Sequence, residues 1–127
     1  MSGMQERVYE LDAKEAEKLR KLLLYDPYSD NSLDEAALAK IKTDRLANVI
    51  FARQNCTLKD GLSLGLDRDK FYLCIKASEE FLVGADEKLK KEITGIKRAP
   101  KEIEDKVIAA VNEEESRSNQ GVGLIFG

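Results

Sequence analysis

Leu62, Leu64 and Leu66 recur at alternate positions between two turn-forming stretches, Lys59-Asp60-Gly61 and Asp67-Arg68-Asp69-Lys70. A period of two is the spacing of a strand with one buried face. Polar clusters rich in Asp and Gly are what hairpins use to reverse direction. With the β-branched and aromatic run Val49-Ile50-Phe51 before them and Phe71 to Lys76 after them, they predict a three-strand antiparallel meander over about 48–58, 62–66 and 70–76. Nothing else in the chain restricts the fold as strongly.

The register of the first hairpin follows from polarity. A two-residue Asp60-Gly61 loop sets Thr57 against Leu64, polar against apolar. A three-residue Lys59-Asp60-Gly61 loop, with Gly61 left-handed in a bulge, pairs Leu58 with Leu62 and Cys56 with Leu64, so the apolar side chains share one face. That face then carries Ile50, Ala52, Cys56, Leu58, Leu62, Leu64, Leu66, Phe71, Leu73 and Ile75. The opposite face carries Arg53, Asn55, Thr57, Ser63, Gly65, Tyr72, Cys74 and Lys76. Cys56 and Cys74 fall on opposite faces and are expected as free thiols.

Helices surround this block. Asp12 with Glu15, and Ser32 with Glu35, have capping-box spacing, and Ser78 precedes a further amphipathic run. Helices are expected over about 12–24, 33–43, 78–93 and 100–115. The first stops ahead of Asp26-Pro27, because the residue before proline avoids helical geometry, and the third stops at Gly95. Val8 to Leu11 reads as a first strand and Val122 to Phe126 as a last one. The fold class is therefore α+β: an antiparallel sheet with the helices packed mainly on one face. The 127 residues suffice for a single domain, 1–127, with residues 1–6 and 116–121 loose.

Composition narrows the function classes. Net charge is −3, against the basic balance usual for a nucleic-acid coat. No apolar run of membrane-spanning length occurs and Met1 to Arg7 lacks the apolar stretch of a signal peptide, so a soluble cytoplasmic protein is expected. Histidine is absent, which removes the commonest base near neutral pH and the commonest transition-metal ligand. Two cysteines without Cys-x-x-Cys spacing make neither a disulfide framework nor a zinc site.

Short motifs resolve into turn and cap chemistry. Gly121-x-Gly123-x-x-x-Gly127 has no helix after it to receive a phosphate. Asp30-x-Ser32-x-Asp34 lacks the glycine and the final glutamate of a calcium loop. No catalytic residue, cofactor or metal ligand is assigned.

Two surfaces remain. Arg53, Asn55, Tyr72 and Lys76 on the polar sheet face form a candidate ligand or partner surface. Lys88, Lys91, Lys97, Arg98 and Lys101 form a candidate patch for an anionic partner, although cations at one helix end and acids at the next helix start also follow from helix dipoles. The reading that follows is a non-enzymatic binding domain that self-associates through sheet edges as a homo-oligomer, the terminal Val122–Phe126 run supplying an unpaired strand. The alternative is an RNA-associated accessory protein using residues 88–101. A histidine-free enzyme ranks last, to be revived by a buried lysine or acid in a concave pocket.

Overall fold

The computed structural model describes residues 4–29, 34–44 and 46–126, with side chains as far as Ser116. The elements are β1 (Gln5–Asp12), α1 (Ala16–Leu24), α2 (Glu35–Thr43), β2 (Asn55–Asp60), β3 (Lys70–Ala77), α3 (Glu79–Glu92), β4 (Lys97–Arg98) and α4 (Lys101–Phe126). The strands make one antiparallel sheet in the order β2-β3-β1-β4, and the chain is α+β.

Both faces of this sheet are covered. Tyr9 and Leu11 of β1 and Leu73 and Ile75 of β3 pack against Leu19 of α1 and Leu82, Ala85 and Leu89 of α3. On the other face Val8, Tyr72 and Cys74 pack against Val107 and Val111 of α4. The face expected to be polar is thus a second core: Tyr72 is 2% exposed. Its cause is the apolar stripe of α4, Ile103, Val107 and Val111 at helical spacing, which needs a surface to bury against. Each large apolar side chain so buried contributes about 1.5–3 kcal/mol.

The meander is a two-strand hairpin. β2 pairs directly with β3, Leu58 opposite Leu73 and Cys56 opposite Ile75, and the expected middle strand, 62–66, is a connection. Leu62–Leu64 form a single 3-10 turn. Asp60 drives it: its carboxylate accepts the Ser63 N–H at 3.3 Å, and its carbonyl accepts the Ser63 hydroxyl at 3.0 Å. Gly65, left-handed at φ 72°, ends the turn. Leu62 is left exposed, while Leu64 and Leu66 pack beneath α4. Gly61 has an ordinary φ of −63°, so the left-handed bulge is absent. Glycine is needed there because a Cβ would lie 1.8 Å from the Asp67 carbonyl oxygen.

Further expectations shift at the ends of elements. Phe51–Arg53 make a 3-10 turn, so the strand starts at Asn55 and Ala52 is exposed. Asp12 makes no cap; its carboxylate takes a hydrogen bond from Lys70 Nζ at 3.0 Å. Asp34 caps α2 through Ala37 N–H; Ser32, with Asp30, lies outside the described residues. Ser78 caps α3 as expected, and Gly95 turns the chain at φ 78°. Gln5 and Glu6 belong to β1. The chain is helical from Lys101 to Phe126, so residues 116–121 are no loose break and 122–126 form no strand. Residues 1–3 and Gly127 lie outside the described residues.

Candidate functional site

The four residues of the expected sheet surface are not gathered. Arg53 sits on the turn before β2, where its guanidinium pairs with Asp26 at 3.1 Å and lies 5.4 Å from the Tyr28 ring centroid. Asn55 and Lys76 face each other across β2 and β3. Tyr72 lies opposite Lys59, four residues and about 13 Å further along the strand, buried under α4.

The basic segment is divided as well. Lys97 pairs with Glu10 at 3.3 Å, Arg98 with Glu104 at 2.9 Å and Lys101 with Asp105 at 3.0 Å. Lys88 and Lys91 lie apart from these on α3, lining a pocket of about 320 Å³ with Leu22, Tyr25, Asp44 and Glu92. Lys88 is 8% exposed, and its ammonium donates to the Val49 carbonyl at 3.0 Å. Burial lowers its pKa from the usual lysine value. This is the buried lysine beside a concavity that would favour an enzyme. Its ammonium, however, is given to a main-chain oxygen, tying the connector before β2 to α3. Among the described residues no group of three or more Cys, Asp and Glu side chains could hold a metal. No described helix is long and apolar enough to cross a membrane.

The edges of the sheet are built differently. Gly61 N–H donates to the Lys70 carbonyl at 2.8 Å. Antiparallel strands alternate the direction of their backbone groups residue by residue, so Asn55, Thr57 and Lys59 turn toward β3, and Cys56, Leu58 and Asp60 turn outward. Among the described residues no strand lies on that side. Beside it runs a groove of about 360 Å³ lined by Arg20, Leu23, Leu24, Phe51, Ala52 and Cys56. Leu24 is 80% exposed at its rim.

The opposite edge is covered over its middle. By the same alternation Glu6, Val8, Glu10 and Asp12 of β1 turn outward. Glu10 and Tyr9 face the two residues of β4. Ala99 N–H donates to the Val8 carbonyl at 2.9 Å. Val8 N–H is met by a side chain: it donates to the Glu104 carboxylate at 3.1 Å, which also takes Arg98 at 2.9 Å. Glu104 is 7% exposed, a buried carboxylate completed by one backbone and one guanidinium donor.

Sequence reasoning missed Leu24 and Glu104. The run Leu22-Leu23-Leu24 holds more adjacent leucines than one helix face can bury, which was the available signal. Glu104 is one of several acids at the start of α4, and nothing in the sequence separates it from Glu102 or Asp105. The thiols fall on opposite faces as expected: Cys56 packs with the α1 and α3 core, Cys74 with the α4 core, and both are free. Burial pushes Cys56 up to about 12 and Cys74 up to about 11, so both are inert neutral thiols near pH 7. No protein-family model matches this chain, and no curated protein or solved structure matches it.

Proposed function

We propose that this protein is a binding domain, acting by assembly rather than by catalysis, and that it self-associates through the outer edge of β2. The observation that carries the reading is the combination of outward-turned backbone groups at Cys56 and Leu58, on an edge strand of the described sheet, with an adjacent apolar groove ending in exposed Leu24. An added strand satisfies the first, and side chains flanking it fill the second; this is how sheets recruit partners. The other edge, filled by β4 and Glu104, offers neither. A cytoplasmic setting belongs to the same reading and is supported by two free, buried or half-buried thiols. The RNA alternative draws on cations of which Lys97, Arg98 and Lys101 already hold carboxylate partners.

Leu24 and Ala52 are exposed, so charges there leave the fold intact. L24E and A52K are each expected to weaken assembly at least tenfold, about 1.4 kcal/mol, by sedimentation equilibrium across a concentration series, with unchanged circular dichroism. Assembly that ignores both substitutions rules out the β2 edge.

A further inference from the structure

Away from the sheet edges, α1, α2 and α3 end around one concavity of about 320 Å³. We propose that it binds a small zwitterion, an α-amino acid with an apolar side chain, whose carboxylate meets Lys88 and Lys91 and whose ammonium meets Asp44 and Glu92. The site shares no lining residue with the groove beside β2.

The positive side of the argument is Lys88. Lys59, Lys70, Lys90, Lys97 and Lys101 each hold a carboxylate in an ion pair. Lys88 is buried at 8% exposure and, among the described residues, holds none. Its ammonium lies between the Val49 carbonyl, at 3.0 Å, and the Tyr25 ring, whose centroid is 6.0 Å away. An ammonium has three N–H groups, and Val49 takes one. A buried charge is costly unless it is paired. Burial lowers the Lys88 pKa, and the charges of Glu92 and Asp44 do not restore it. A ligand carboxylate supplies the missing counter-ion. Lys91, exposed one turn along α3 on the same lining, is placed to share it.

The same lining carries negative charge. One Asp44 carboxylate oxygen accepts the N–H groups of Leu46 and Ala47 at 3.0 and 3.2 Å, which fixes the side chain and leaves its second oxygen out of the turn. Glu92 joins it, and the last-turn carbonyls of three helices add partial negative charge. A simple anion is repelled by this group, and a simple cation is repelled by Lys88 and Lys91. A ligand bearing both signs is attracted at both of its ends. Leu22, Leu46, Ala47 and the face of Tyr25 give its side chain an apolar wall. At about 30 Å³ per water the cavity has the room for one amino acid and its side chain.

Three probes with one hydrocarbon body separate the charges: leucine, isovalerate without the ammonium, and isoamylamine without the carboxylate. Each is titrated into the full chain while NMR follows the backbone amides of Leu46, Ala47, Lys91 and Glu92. Leucine is expected to shift them saturably, and the two single-charge probes to bind at least about tenfold more weakly, one charged contact each. Lys88→Met, which keeps the length of the stem, is expected to weaken leucine about tenfold with unchanged circular dichroism. Should that variant not fold, exposed Lys91→Met and Asp44→Asn, which keeps an acceptor for Leu46 and Ala47, are each expected to weaken leucine about threefold. No saturable shift with leucine up to about 100 mM overturns the proposal, since that is weaker than any useful site. So does isovalerate or isoamylamine binding as tightly as leucine, which makes the pocket a plain anion or cation site. Leucine binding that ignores the substitutions overturns it as well.

Discussion

The two edges of this sheet face the same problem and meet it in opposite ways. At β1 the outward backbone groups are absorbed by a two-residue strand, by Ala99 N–H and by one carboxylate, Glu104. At β2 they are left turned outward beside apolar side chains. An edge can be covered over its middle with few residues when a buried side chain supplies what a strand would have supplied. A six-residue strand left open beside a groove is therefore a feature to be accounted for, because an unprotected edge invites pairing.

The comparison breaks hardest at Gly61, where the open strand ends. A Cβ there meets the Asp67 carbonyl oxygen at 1.8 Å, so Gly61→Ala forces the 61–69 connection to move. A loss of about 3 kcal/mol is expected, the range of packing and backbone strain at a constrained site, read by urea denaturation. Next is Glu104→Ala, which strips the covered edge of its substitute. It leaves Val8 N–H buried without an acceptor, for a loss of about 2 kcal/mol. Glu104→Gln, which keeps an acceptor for Val8 N–H, should lose less.

The smallest effect is the alkaline response. Tyr9, on β1, is pushed up to about 12 by burial and by its 2.9 Å hydrogen bond to Asp86, from an ordinary 10. Cys56, on β2, is pushed up to about 12 by burial, from an ordinary 9. In both cases the unfolded chain ionises first, so stability is intact below the ordinary value and falls as pH rises toward the folded one. Melting temperature should therefore start to fall near pH 9 and steepen above pH 10. C56S should remove part of the earlier fall, and Tyr9→Phe part of the later one.

Much of the fold was legible where pattern and chemistry agreed. Helix α3 was marked by the Ser78 cap and Gly95, and the end of α1 by Asp26-Pro27. The face assignment of Cys56, Leu58, Leu73 and Ile75 held as well. The leucine repeat at 62–66 misled because alternation is also met by chance in a turn, and the local hydrogen bonds from Ser63 to Asp60 outweighed it. The terminal strand was read from its apolar residues, but helix α4 continues through them. The covered second face was visible in principle. Tyr72-Leu73-Cys74-Ile75 is an unbroken apolar run, which marks a strand buried on both sides, whereas the meander reading treated it as alternating. The candidate site was barely legible, because an open edge is defined by what fails to pair with it, and a single sequence carries no mark of that.

The two-sided burial of β3 has a consequence for strand alignment. Where one face meets water, a slip by one residue exposes the apolar set and is rejected on polarity alone. In β3 a slip would exchange Leu73 and Ile75 for Tyr72 and Cys74, and either set would still enter a hydrophobic layer. Alignment must then be enforced by side-chain volume and by the geometry of the connection between Asp60 and Lys70. The central strand of this sheet thus takes its place from how its neighbours fit and how its loop is closed, with little help from solvent.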